Sequence, residues 1–151
     1  MTSLFKITKS IMSGQFGAPP GSMALPDREL LAHYCQFDAW IADLGTGIFK
    51  LSERTRQEHG LAEEGDCGLL NLVRCYETGD RHHVLELFET AAVSPSSFCF
   101  STSIHHSDNS VRPVMCIGES SKFSDEGKGA ITGVFVFPNL KLWPKTRRGA
   151  Q

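Results

Sequence analysis

Apolar and polar residues change their spacing several times along this chain, and each change predicts a different element. After Pro26 the apolar residues recur with helical spacing, and we expect this helix to end near Phe37. From Ala39 the spacing becomes that of strands. Two short strands are predicted around a glycine-containing turn, and they cover Trp40–Asp43 and Ile48–Leu51.

Helical signals return in the middle of the chain. Ser52 is a predicted N-cap and Gly60 a predicted left-handed C-cap, so a short helix lies between them. A second short helix is predicted over Gly68–Tyr76. Asp80 stands at the N-cap position of the longest helix, whose apolar side chains keep helical spacing until Ser94-Pro95 ends it.

The remainder of the pattern is that of strands. Three alternating runs are separated by polar turns, and they cover Phe98–Ile104, Val111–Glu119 and Ala130–Phe137. Consecutive strands with short connections predict an antiparallel meander. The first 24 residues end in a stretch rich in glycine and proline, and we expect them to form a flexible leader. Residues 139–151 are expected to form a solvated basic tail.

Composition narrows the class of protein. With 151 residues and 40% hydrophobic residues, the chain can bury the core of one compact domain. A net charge of -2 provides no general attraction for nucleic acid. Five cysteines without a C-x-x-C pair indicate reduced thiols, and we find no signal peptide and no apolar run long enough to span a membrane. We therefore expect a cytoplasmic protein.

Specific residues in this order of elements resemble the PAS family. The stretch from Trp40 to Ser52, Trp-Ile-Ala-Asp-Leu-Gly-Thr-Gly-Ile-Phe-Lys-Leu-Ser, is similar to the opening hairpin of the PAS branch that reads Trp-x-x-Asp-x-x-Thr-Gly-x-x-x-x-Ser. Glu58-His59-Gly60-Leu61 resembles the helix end that follows it, and Asp80-Arg81 matches the end of the signature His-Pro-x-Asp-Arg. Tyr76-Glu77-Thr78-Gly79 departs from the His-Pro part of that signature.

The resemblance implies an α+β fold: a PAS-like five-stranded antiparallel sheet with short helices and one longer helix packed on one face. The PAS-like domain would cover residues 37–138, after a flexible leader at 1–24 and a flanking helix at 25–36. Phe137-Pro138-Asn139 replaces the Asp-Ile-Thr exit common in the family, and we expect no effector region after it. We therefore expect the chain to act as a sensory or regulatory module that signals through a homodimer or a partner signalling protein. An optional small ligand would modulate that contact.

A PAS sheet curls around a cavity that relatives fill with haem, flavin, metabolites or only side chains. The residues expected to line this pocket or to fill it as a core are Trp40, Ile48, Phe88, Phe98, Phe100 and Phe135. So many large apolar groups favour a filled core with no cofactor. The helix before the sheet would supply the interaction surface, through Leu30, Leu31 and Tyr34.

Two chemical alternatives remain open. His82 and His83 lie in the first turn of the long helix, from which haem-binding PAS sensors take their iron ligand, so a haem gas or redox sensor is the second hypothesis. A small hydrolase is the third, although the sequence has no G-x-S-x-G elbow, phosphate loop or H-E-x-x-H motif, and we expect no catalysis. Cysteines and histidines without paired spacing predict no metal site.

Overall fold

The computed structural model describes residues 26–120 and 129–139. The predicted leader at 1–24, nearly all of the predicted tail at 139–151 and most of the turn before the last strand lie outside this range. The helices are α1 (Pro26–Tyr34), α2 (Glu53–His59), α3 (Leu69–Val73) and α4 (Arg81–Val93), with a 3-10 turn at Thr78–Asp80. The strands are β1 (Cys35–Asp43), β2 (Ile48–Lys50), β3 (Cys67–Gly68), β4 (Ser97–His105), β5 (Val111–Ser120) and β6 (Ala130–Pro138).

All six strands form one antiparallel sheet in the order β3-β2-β1-β6-β5-β4. The helices between β2 and β4 supply side chains to the core on one face of this sheet. The expected α+β architecture is confirmed, and the meander of β4, β5 and β6 is as predicted. The sheet has one strand more than expected, because the two residues of β3 pair with β2.

Local signals around the first hairpin and α2 are confirmed. Asp43 Oδ1 accepts hydrogen bonds from the backbone N–H groups of Gly45 at 2.7 Å and Thr46 at 3.2 Å, which closes the turn between β1 and β2. Ser52 Oγ accepts from the backbone N–H of Thr55 at 3.0 Å, as an N-cap does. Gly60 ends α2 with φ of 69°, a left-handed conformation that glycine adopts without strain.

The boundary between the first helix and the first strand was predicted wrongly. The helix ends at Tyr34 rather than near Phe37, and β1 begins at Cys35 rather than Trp40. The cause is tertiary: β1 pairs with β6 over its whole length, from Cys35 opposite Pro138 to Asp43 opposite Ala130. Pairing with a strand so distant in sequence overrides the helical spacing of the few apolar residues that precede it.

The outer edge of β4 is partly covered by the chain that leads into α4. The backbone N–H of Glu77 donates to the carbonyl of Ser103 at 2.9 Å, and the N–H of His105 donates to the carbonyl of Cys75 at 3.2 Å. These bonds flank a single bridge between Tyr76 and Ile104. They occupy only the C-terminal end of the β4 edge.

Two glycines explain how large rings fit against the centre of the sheet. Trp40 on β1 is paired with Gly133 on β6, Gly133 with Gly118 on β5, and Gly118 with Phe98 on β4. The centroids of the Trp40 and Phe98 rings lie 6.4 Å apart, although two strands separate the residues. A Cβ at Gly118 would lie 2.4 Å from the Phe98 ring, and one at Gly133 would lie 2.6 Å from the Trp40 ring. The missing side chains leave the space into which both rings lean.

We expect Gly118→Ala to lower the free energy of unfolding by about 1–3 kcal/mol, because the added methyl group overpacks a site filled by Phe98. Urea denaturation measures the change. Gly79→Ala is the matched control, since nothing lies within 4 Å of a Cβ there, and its effect should stay within about 0.5 kcal/mol. Equal costs for the two variants would contradict the proposed fit between glycine and ring.

Candidate functional site

The interior of the curled sheet is occupied by aromatic rings. Trp40 is only 1% exposed, and its ring centroid lies 5.7 Å from those of Phe49, Phe88 and Phe135. Phe88 from α4 lies 4.9 Å from Phe98, centroid to centroid, in an edge-to-face arrangement. Five of the six residues predicted to line or fill the pocket are buried in this cluster, namely Trp40, Phe88, Phe98, Phe100 and Phe135.

Ile48 is the exception, since it is only half-buried. Neighbouring residues of a strand point to opposite faces of the sheet, so Ile48 and Phe49 cannot both enter the core. Phe49 is the buried one, at 4% exposure. The turn residue Gly47, with φ of 71°, precedes β2 directly. Because β2 begins only after Gly47 and has three residues, the sequence pattern is too short to show which of them faces inward.

Asp80 immediately precedes α4 as predicted, but its carboxylate does not cap the helix. The side chain makes no capping hydrogen bond, and its backbone is helical, with φ of -95° and ψ of -16°. Asp80 Oδ2 instead accepts a hydrogen bond from the hydroxyl of Thr102 on β4 at 2.7 Å, and both residues are buried. The carboxylate therefore ties the start of α4 to the sheet.

A second buried polar pair joins α2 to the segment before α4. His59 is 3% exposed, with Nδ1 at 2.8 Å from the carbonyl oxygen of Thr55 and Nε2 at 3.0 Å from the hydroxyl of Tyr76. A carbonyl can only accept, so Nδ1 carries the proton and Nε2 accepts from Tyr76. Burial lowers the pKa of His59 to about 4. The imidazole is therefore neutral at pH 7.

Sequence reasoning missed this pair, although one local signal was present. Thr55 and His59 are spaced i, i+4, which places them on one face of α2, and they are its buried residues. The partner, Tyr76, lies 17 positions further along the chain. The His59 ring also lies 5.0 Å from that of Phe135 and 5.7 Å from that of Phe137, so the pair borders the aromatic cluster.

Burial also shapes the chemistry of the thiols. It raises the pKa of Cys75 to about 11, and it raises the pKa values of Cys67 and Cys99. A thiol with a raised pKa stays protonated at pH 7 and is a poor nucleophile. No cysteine takes part in a disulfide within residues 26–120 and 129–139.

Neither of the predicted haem residues is buried in the core. The side chain of His82 is 86% exposed and its Nε2 lies 3.1 Å from Glu86 Oε1, while His83 is half-buried. The residues of α4 that do face inward are Val84, Phe88 and Ala91. With His82 on the surface and aromatic rings packed at the centre of the domain, these residues do not fit a haem held inside the sheet.

The opposite face of the sheet carries apolar side chains as well. Phe37 on β1 is 50% exposed and lies in register with Val136 and Met115. In the next row Ala39 pairs with Val134, and Val134 with Ile117, which is 47% exposed. An antiparallel sheet with one face in water normally carries polar residues there. We call this surface, made of Phe37, Ile41, Met115, Ile117, Val134 and Val136, the outer face.

Helix α1 adds apolar groups of its own. Leu31 is 52% exposed and Tyr34 59% exposed, so neither is buried against its own sheet. The side chain of Leu30, the third residue predicted for this surface, lies outside the described range. The C-terminal end of α1 is held by Asn139, whose side-chain Nδ2 donates to the carbonyl of His33 and whose backbone N–H donates to that of Tyr34 at 2.7 Å.

Comparison with known proteins identifies the fold. No protein-family model and no curated protein matches the chain. Among solved structures, an RNA-binding light-oxygen-voltage receptor is similar over 77% of this chain, with a TM-score of 0.56 and 16% identity. The chain spans 32% of that receptor's length, so the similarity concerns one part of the receptor.

Two sensor domains are similar over most of their own length. One is the N-terminal domain of a diguanylate cyclase with PAS/PAC sensor from Marinobacter aquaeolei, with a TM-score of 0.53 and 12% identity over 66% of this chain and 93% of that one. The other is a domain assigned to a light and redox sensing histidine kinase from Haloarcula marismortui, with a TM-score of 0.54 and 16% identity over 76% and 97%.

The curled sheet with helices on one face and the similarity to PAS and light-oxygen-voltage structures agree. Within the described residues no helix is both long and apolar enough to cross a bilayer. At these identities the structures establish the architecture rather than the signal or the partner. This chain therefore has the PAS fold.

Proposed function

We propose that this chain is a sensory or regulatory module that acts through protein–protein contact. The observation that carries the proposal is the outer face, where apolar side chains occupy outward positions on three neighbouring strands. Exposed apolar surfaces of this kind are typical of protein interaction sites. Leu31 and Tyr34 on α1 extend the apolar surface beyond the sheet. The partner is a second copy of this chain or another signalling protein.

A small ligand would act on this contact by shifting a population. It can change the equilibrium between a bound and a free form only by its difference in affinity for the two. The buried His59–Tyr76 pair borders the aromatic cluster, so a molecule that entered the interior would meet hydrogen-bonding groups there. The proposal also places the module in the cytoplasm, where unpaired thiols stay reduced.

We expect Leu31→Glu to weaken the contact made through α1 and the outer face by about tenfold or more, because that interface would have to bury an unpaired carboxylate. Sedimentation velocity of the wild-type protein and of the variant measures the change. Val93→Glu is the matched control, since Val93 is 79% exposed at the end of α4, away from α1 and the outer face. A soluble monomer for both wild type and Leu31→Glu would exclude dimerisation through α1.

Native mass spectrometry of protein purified from its own host distinguishes a homodimer from a complex with another signalling protein, and it also detects a bound small ligand. A bound signalling protein that is lost with Leu31→Glu and kept with Val93→Glu supports the proposal. An absorption spectrum after addition of hemin tests the haem hypothesis on the same sample. A Soret band that survives purification would favour a haem sensor and contradict the filled core.

A further inference from the structure

The edge of the sheet formed by β4 has unpaired backbone groups. The ladder between β4 and β5 runs without interruption from Ser97 opposite Glu119 to His105 opposite Val111. Ser103 and His105 bond outward, to Glu77 and Cys75, so odd-numbered residues of β4 direct their N–H and C=O groups away from β5. By the same alternation the backbone groups of Ser97, Cys99 and Ser101 point outward. The described part of the chain contains no bonding partner for them.

This part of the edge lacks the features that normally prevent strand pairing. Natural edge strands carry lysines, prolines or bulges that stop another strand from adding to them. From Ser97 to Ser101 the sequence is Ser-Phe-Cys-Phe-Ser, which contains no charge and no proline. Phe98 and Phe100 face the core, so only the small side chains of Ser97, Cys99 and Ser101 face the other side.

The same five residues read alike in both directions, with Cys99 at the centre. In an antiparallel pair related by a two-fold axis at Cys99, Ser97 lies opposite Ser101 of the other copy, and Phe98 opposite Phe100. Like therefore meets like at every position, and the three residues with free backbone groups become hydrogen-bonded pairs.

The neighbouring residues limit this pairing to the same five positions. The next residue after Ser101 whose backbone points outward is Ser103, and in this register it would lie opposite Pro95 of the other copy. Pro95 has no N–H to donate, and the carbonyl of Ser103 already accepts from Glu77. The pairing therefore has a defined centre and defined ends.

We infer that two copies of this chain pair antiparallel along the β4 edge, around a two-fold axis at Cys99, and so join their sheets into one. This contact lies at the β4 edge of the sheet, three strands away from β1, and it leaves the outer face and α1 free. The inference does not depend on the proposed function. A dimer of this kind would present two outer faces to partners.

Opposite charges placed at positions 97 and 101 test the register. In the proposed pair, position 97 of each copy lies opposite position 101 of the other copy, so this pairing occurs twice. Ser97→Lys combined with Ser101→Lys sets like charges opposite one another, whereas Ser97→Lys combined with Ser101→Glu sets opposite charges together. We expect the first double variant to raise the dimer dissociation constant about tenfold or more above that of the second, as measured by sedimentation across a dilution series.

Other outcomes would contradict the register, the edge dimer or the place of the contact. Equal dissociation constants for the two double variants, with native near-ultraviolet circular dichroism in both, would overturn the proposed register. A wild-type protein that stays monomeric throughout the series would overturn the edge dimer and leave the outer face to be tested with a partner protein. Leu31→Glu weakens only the contact through α1, so it should leave the edge dimer intact, and a Leu31→Glu protein that is monomeric throughout the series would place the self-contact at α1 instead.

Discussion

Replacing Trp40 with alanine is expected to lower the free energy of unfolding by about 3–5 kcal/mol. The indole is almost completely buried, and four aromatic rings lie within 6.4 Å of it, measured between centroids. Gly133 beneath the ring has no side chain that could move into the space, so the site collapses poorly. The cost therefore includes a cavity as well as the lost apolar contact.

Urea denaturation followed by far-ultraviolet circular dichroism measures this loss. Val93→Ala serves as the control, since Val93 is exposed and its truncation should change stability by no more than about 0.5 kcal/mol. An unchanged denaturation midpoint for Trp40→Ala would show that this residue is not part of the core. Trp40→Phe should cost less, because a smaller ring still fills part of the site.

Acidification is expected to lower the free energy of unfolding by about 3 kcal/mol through His59 alone. The pKa of His59 is about 4 in the folded chain, against an ordinary value of 6.5, because burial disfavours the charged imidazolium. The unfolded state thus binds the proton more readily. Stability from the neutral histidine is fully present above pH 6.5, and it falls as the pH drops from 6.5 to about 4.

The contacts of His59 explain why protonation is costly. The hydrogen bond from Nδ1 to the Thr55 carbonyl raises the pKa and offsets part of the cost of burial, but a proton on Nε2 requires the buried Tyr76 hydroxyl to turn from donor to acceptor. His106, whose charge also opposes protonation of His59, lies nearby. The rings of Phe135 and Phe137 border the remaining sides and offer no counter-charge.

Denaturation of the wild type and of His59→Gln at several pH values isolates this contribution. Carboxylates titrate in both proteins, so the difference between the two curves reports His59. His106→Gln is the control, and it should keep most of the wild-type slope between pH 6.5 and 4. Identical pH profiles for the wild type and His59→Gln would mean that His59 is not buried as a neutral group.

Where residues interact within a few positions of one another, the sequence was sufficient to predict the structure. The side chain of Ser52 bonds three residues ahead, and Gly60 ends the same helix through its own backbone conformation. Alternation along β4, β5 and β6 predicted the meander because each strand shows the period of two.

Features that join distant residues were predicted poorly or missed. Asp80 was expected to cap α4 because its local position suits a cap, but its carboxylate instead accepts a hydrogen bond from Thr102, 22 residues away. The start of β1 was misplaced because its pairing partner is β6, at the other end of the domain. His59 was interpreted as part of a helix end, and only folding brings Tyr76 to its ring.

The sequence by itself therefore determined the order and type of most elements and the aromatic content of the core, since local hydrogen bonding and the period of apolar residues specify these. The tertiary structure alone decided which residues meet, because that depends on strand register between segments distant in the chain. Register places Trp40 and Phe98 over two glycines and leaves an apolar outer face. It also leaves the backbone of Ser97, Cys99 and Ser101 free at the sheet edge, where we infer that a second copy binds.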